Sequence, residues 1–235
     1  MKIDKQIEMN VSDALIERPI QFHVGGWAYS LYPATLGKTE ILKSLYLAID
    51  VDLDLLAVHP MVETLRVCKT YRQVVCQIVA YSTFKDKASI MNAEKVTQRA
   101  AVFEREINIE DLAALLSLIL SSDRTEEFVR YFGIDRDREK RQQINHLKGD
   151  SSSLTFGGKS VYGLLIDFAC QRYGWTLDYI LWGISLVNLN MLFADAITTV
   201  YLNDEERKKL GMSNGEVIDA DDPANKELIR KLISE

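Results

Sequence analysis

Most of what would announce a chemistry is missing from this sequence. No nucleophile elbow, paired catalytic carboxylates or metal-ligand spacing occurs, so no catalytic, metal or cofactor-binding residue can be nominated. Three cysteines, Cys68, Cys76 and Cys170, are too few and too widely spaced for a disulfide framework or a Cys-x-x-Cys site. They fit reduced, buried thiols. The opening MKIDKQIEMN lacks the apolar core of a signal peptide, and a cytoplasmic protein is the expectation. A net charge of −6 argues against binding nucleic acid through phosphate contacts. No segment repeats and no low-complexity tract is visible.

What is present is apolar and helical. Residues 161–202 form the greasiest stretch. Val161, Leu164, Leu165, Phe168 and Ala169 recur at helical spacing. Gly174 suits a left-handed helix end, with Trp175 folding back on it, and Thr176 can cap the next helix. That helix carries no charge from Tyr179 to Ala194. It reads as the second arm of a helical hairpin that is a buried core, a surface for another chain, or a membrane-associated element through residues 179–194. The uncharged run falls short of the roughly 20 residues a span needs and is flanked by aspartates, so no membrane is expected among the partners.

Earlier in the chain, two alternating runs, Ile20–Val24 and Trp27–Leu31, flank Gly25-Gly26 and predict a β-hairpin. Gly37-Lys38-Thr39 superficially matches a phosphate-binding loop, but Tyr32 stands where the motif needs a glycine. A helix start is the better reading, with Ile41, Leu42, Leu45, Tyr46 and Ile49 as its inner stripe. Residues 55–84 are apolar-rich, and residues 74–79 suit helix or strand equally well. Asn108 should cap a helix built on Leu112, Leu115, Leu116, Ile119 and Leu120. Asp123-Arg124-Thr125-Glu126 resembles a capping box for a helix that stops at Gly133. Residues 135–141 alternate in charge sign, as a solvated helix face does.

The predicted organisation is mainly α: a flexible N-terminus (1–18), a hairpin plus helical domain (19–148), a linker (149–158), an apolar helical hairpin (159–212), and an acidic tail (213–235) with a short amphipathic helix. That last helix carries Leu228, Ile229 and Leu232 and needs something to dock on.

Three features resemble the tail assembly chaperones of long-tailed bacteriophages. These are the opening from Pro19 through Pro33-Ala34-Thr35-Leu36-Gly37-Lys38, the mid-chain helix pair ending in Phe132-Gly133-Ile134-Asp135, and the turn Tyr173-Gly174-Trp175 leading into an apolar helix. The resemblance spans most of residues 19–210 and leaves residues 55–106 without a counterpart. It implies a non-enzymatic protein that binds and solubilises the apolar helix of a tape-measure protein and helps recruit tail-tube subunits. A host cytoplasmic location and a homo-oligomer are further expectations. On this reading Trp175, Tyr179, Trp182 and Leu186, with Leu228, Ile229 and Leu232 in the tail, are the candidate partner contacts; a core role is the alternative for each.

Overall fold

Gly25 and Gly26 both take positive φ, 56° and 82°, the backbone of a two-residue turn that twists with its strands. In the computed structural model, which describes residues 4–147 and 157–210, this turn joins β1 (Ile20–Val24) to β2 (Trp27–Leu31). The strands pair antiparallel, with Phe22 opposite Tyr29. Everything else of regular form among the described residues is helical, as composition and periodicity predict.

Before the hairpin lies α1 (Lys5–Leu15), and after it α2 (Leu36–Ala48), α3 (Leu53–Val58), α4 (Pro60–Thr70), α5 (Arg72–Ser82), α6 (Lys87–Ile90) and α7 (Ala93–Glu106). Then come α8 (Ile109–Leu120), α9 (Thr125–Phe132) and α10 (Ile134–Leu147). A π-helical turn, Tyr162–Ile166, leads into α11 (Asp167–Tyr173), α12 (Leu177–Trp182), α13 (Leu186–Ala194) and α14 (Asp204–Lys209). The ambiguous residues 74–79 are helical, inside α5. Small polar side chains start many of these helices by accepting a free backbone N–H: Asp4, Thr35, Asp52, Asn92, Asn108, Thr176 and Ser185.

The main core gathers β1, β2, α2, α4, α5, α7 and α8 around Val67, Ile78, Phe103, Leu112 and Leu116, all sealed from solvent. Phe22, Tyr29 and Phe103 form an aromatic trio with centroids 4.9–5.9 Å apart, which fastens the hairpin to α7. Arg72 closes the far end of α7, its Nη2 donating to the Glu104 and Ile107 carbonyls at 2.8 and 2.6 Å. Glu63 is fully buried. Its carboxylate accepts from Arg66 Nε at 2.8 Å, from Arg66 Nη2 at 2.7 Å and from the Asp52 N–H at 2.7 Å, and the Arg66 fork also reaches the Asp50 carbonyl. One ion pair thus ties the 50–52 turn to α4.

Several expectations need correcting. The charged composition of residues 1–18 predicts a flexible segment, yet Lys5–Leu15 form a capped helix that packs against α9 and α13. Tyr131 Oη donates to Glu8 at 2.6 Å, a partner 123 residues away that no local pattern reveals. The uncharged run 179–194 is not one helix. It breaks at Gly183–Ser185, where the Ser185 hydroxyl accepts from the Asn188 N–H and starts α13 afresh. Within the predicted apolar hairpin, residues 162–194 are therefore three short helices and a π turn. The π turn shifts the inward face, so Val161 and Leu164 are exposed while Leu165 and Ala169 pack inside. The capping box at residues 123–126 is absent: Asp123 Oδ1 instead accepts from the Thr125 N–H and hydroxyl, at 3.0 and 2.6 Å.

The chain divides into two compact units. One is drawn from Met1–Ile134 and Gly157–Ala196, so the 159–196 segment belongs with the helical domain rather than standing apart from it. The other is drawn from Asp135–Phe156 and Ile197–Glu235. Within it Arg141 Nη1 donates to Thr198 Oγ1 at 3.2 Å, and Asn203 and Glu206 complete a capping box for α14. The linker core (149–156) and the tail helix with Leu228, Ile229 and Leu232 lie outside the described residues.

Candidate functional site

The α11–α13 region carries a continuous run of aromatic rings. Gly174, at φ 65°, ends α11 and turns the chain so that Trp175 folds back and stacks on Tyr173, centroids 4.7 Å apart. Trp175 then meets Tyr179 edge-on at 5.0 Å. In the other direction Tyr173 contacts Phe168 at 5.9 Å, and Phe168 contacts Phe193 on α13 at 5.2 Å. The edge-to-face angles are those that the ring quadrupoles favour. The inner side of this run packs on a small core of Leu36, Ala169, Ile180, Ile184 and Leu189. Its outer side is open: Tyr179 is 44% and Phe193 37% exposed. Val161, Tyr162, Leu164 and Leu177 of the same segments are also exposed.

The four described candidates divide in two. Trp175 is half-buried within the aromatic run, and Tyr179 stands at its exposed end. Trp182 and Leu186 point elsewhere. Trp182 packs against the main core and lies on the backbone of α2, where a Cβ added to Gly37 would come within 2.8 Å of its ring. Leu186 packs on the smaller core, and its N–H donates to the Ala34 carbonyl at 2.7 Å. The Gly37 of the apparent phosphate loop is thus a landing place for Trp182. Thr39 donates its hydroxyl to the Thr35 carbonyl at 3.0 Å.

Lys38, between them, is the residue that sequence reasoning missed. It is 1% exposed, and its Nζ makes no hydrogen bond or ion pair among the described residues. Burial pulls its pKa from the ordinary 10.5 to about 8. It lines a cavity of about 310 Å³ between α1, the end of β2, α2 and the end of α8, with Ser185 and Val187 of α13 completing the wall. The signal was available: within α2 Lys38 falls four residues before Leu42, on the inner stripe, where a solvated lysine would not be placed.

The other buried ionisable groups have structural explanations. The Arg66 hydrogen bonds hold the Glu63 carboxyl below the usual carboxylate range. Burial pushes the Cys68 thiol up to about 12 and Cys76 to about 11. Both are poor nucleophiles at neutral pH. Among the described residues, no three His, Cys, Asp or Glu side chains are gathered as a metal site, and no helix is long and apolar enough to cross a membrane. Comparison with protein-family models, curated proteins and solved structures gives no match.

Proposed function

We propose that this protein is a non-enzymatic assembly chaperone that shields an apolar helix of another protein. The observation carrying the proposal is the aromatic run Phe193–Phe168–Tyr173–Trp175–Tyr179, packed on one side and open on the other. Large rings with few rotatable bonds lose little entropy on binding, and they dominate helix-in-groove recognition. Contiguous exposed apolar surface of this kind marks an interaction site more often than scattered exposed residues do. The resemblance to phage tail assembly chaperones names the specific partner: a tape-measure helix, bound in the host cytoplasm until tail-tube subunits cover it. Self-association through the same face would protect it when the partner is absent.

Co-expression tests this directly. The chain is produced with the long helical product of a neighbouring gene, and the partner's soluble fraction is measured with wild type and with a Tyr179→Glu/Phe193→Glu double variant. Rescue by wild type, lost in a variant of unchanged melting temperature, is the expected result. Failure to solubilise any helical neighbour, or rescue that survives the double variant, would overturn the proposal.

A further inference from the structure

The cavity at Lys38 stands apart from the aromatic face and does not depend on the chaperone reading. An ammonium on a side chain 1% exposed, open to this cavity and without a partner among the described residues, is costly to keep, and folded proteins pair or hydrate such groups. Here the surroundings favour an anion as that partner. Lys38 is the third residue of α2, where the free N–H groups of the helix add further positive potential. Arg124, 43% exposed, lines the same cavity, and its nearest carboxylate is Glu127 at 3.9 Å. Among the described residues the one carboxylate lining the cavity, Asp13, is engaged by Arg18 at 2.8 Å. Much of the remaining wall is apolar, built from Leu31, Leu42, Leu118 and Val187. At about 30 Å³ per water in the liquid, the volume of about 310 Å³ corresponds to roughly ten non-hydrogen atoms.

We propose that this cavity binds a small amphiphilic carboxylate, with its head group on the Lys38 ammonium and its hydrocarbon body along Leu42, Leu118 and Val187. An eight-carbon fatty acid has the right size and polarity. The carboxylate would replace the hydration that burial removes from Lys38. The apolar body would replace water that the wall cannot hydrogen-bond.

Octanoate is the probe, and octanol its uncharged counterpart. Each is titrated into the full-length protein by calorimetry, with methyl NMR reporting the place of binding. Octanoate should bind one site with a Kd below about 1 mM and shift the Leu118 and Val187 methyl signals. Octanol should bind about 10- to 100-fold more weakly, the worth of a hydrogen bond to a charged group. Lys38→Met, whose melting temperature should not fall, should lose that preference. Arg124→Ala, at the rim, should retain most of it. Three results would each overturn the proposal: no octanoate binding at about 1 mM, equal affinity for octanoate and octanol, or unchanged octanoate binding by Lys38→Met. Shifts confined to the Leu164 and Leu177 methyl signals would place the ligand on the aromatic face instead and would also overturn it.

Discussion

Replacing Lys38 with methionine should make the ligand-free protein more stable, which is the reverse of what a fully buried side chain ordinarily does. Methionine has nearly the length of the lysine stem and keeps its packing against the inner stripe of α2, but it has no charge to desolvate. The pKa of Lys38 falls from 10.5 to about 8 on folding through burial. Each pKa unit corresponds to about 1.4 kcal/mol, so the ammonium costs the fold on the order of 3 kcal/mol when charged. The pH dependence has a definite sign. Below about 8 lysine is charged in both folded and unfolded chains, and the whole cost is present. Between about 8 and 10.5 the unfolded chain holds more protons, so wild-type stability rises with pH. Above 10.5 lysine is neutral in both and the cost is gone. Urea unfolding of both proteins at pH 7, 8, 9 and 10 should therefore give a gap near 3 kcal/mol at pH 7 that narrows steadily toward pH 10. A methionine variant less stable than wild type at pH 7 would refute the reasoning. So would a gap that does not change with pH, because either result means that the ammonium is solvated or paired in the folded chain.

Glu63→Ala should cost about 1–3 kcal/mol in urea unfolding, because it removes the buried acceptor of the half-exposed Arg66 fork and leaves the Asp52 N–H without its partner. The same carboxylate sets an acid limit: its folded pKa lies below the unfolded value, so its stabilisation is present above pH about 4.3 and is lost as pH falls through the lowered folded pKa. Gly37→Ala should lower stability by about 1–3 kcal/mol, because the added Cβ meets both the Trp182 ring and the Leu181 carbonyl within 2.9 Å, and only the ring's share of that loss should vanish when Trp182 is already alanine in a double-mutant cycle. Ellman titration of the native protein should label Cys170 at most, with Cys68 and Cys76 reacting only after unfolding; rapid labelling of all three would contradict their burial.

Where contacts are local, the sequence already contains them. The alternation around Gly25-Gly26, the Asn108 cap, the Gly133 and Gly174 stops and the Thr176 cap each depend on residues a few positions apart, and each forms as read. The inner stripe of α2 is likewise a matter of 3.6-residue spacing. The aromatic run was only half legible. Trp175 folding back at Gly174 follows from the turn, whereas its continuation to Phe193 depends on α13 changing direction.

That change of direction explains why the rest was hidden. Residues 179–194 have the composition of one uninterrupted apolar helix, and Gly183 alone costs such a helix only about 1 kcal/mol. The break is stabilised from outside. The Ser185 N–H donates to Glu17 Oε1 at 2.6 Å, the Leu186 N–H donates to the Ala34 carbonyl, and Asn188 Nδ2 reaches the Leu15 carbonyl and Glu17 at 3.4 Å. Glu17 itself sits at φ 53°, an uncommon backbone for a residue with a Cβ. Its carboxylate, which caps a helix start 168 residues away, holds it there. The same contacts turn the N-terminal segment from an apparently loose, charged tail into a helix that walls one side of the Lys38 cavity. Glu17→Ala should therefore act at two places at once. It should destabilise the fold by about 1 kcal/mol, the worth of a lost cap. It should also raise amide exchange both in residues 5–15 and at the start of α13, as one cooperative opening. Faster exchange in only one of the two segments would show that they are held independently and that Glu17 does not join them.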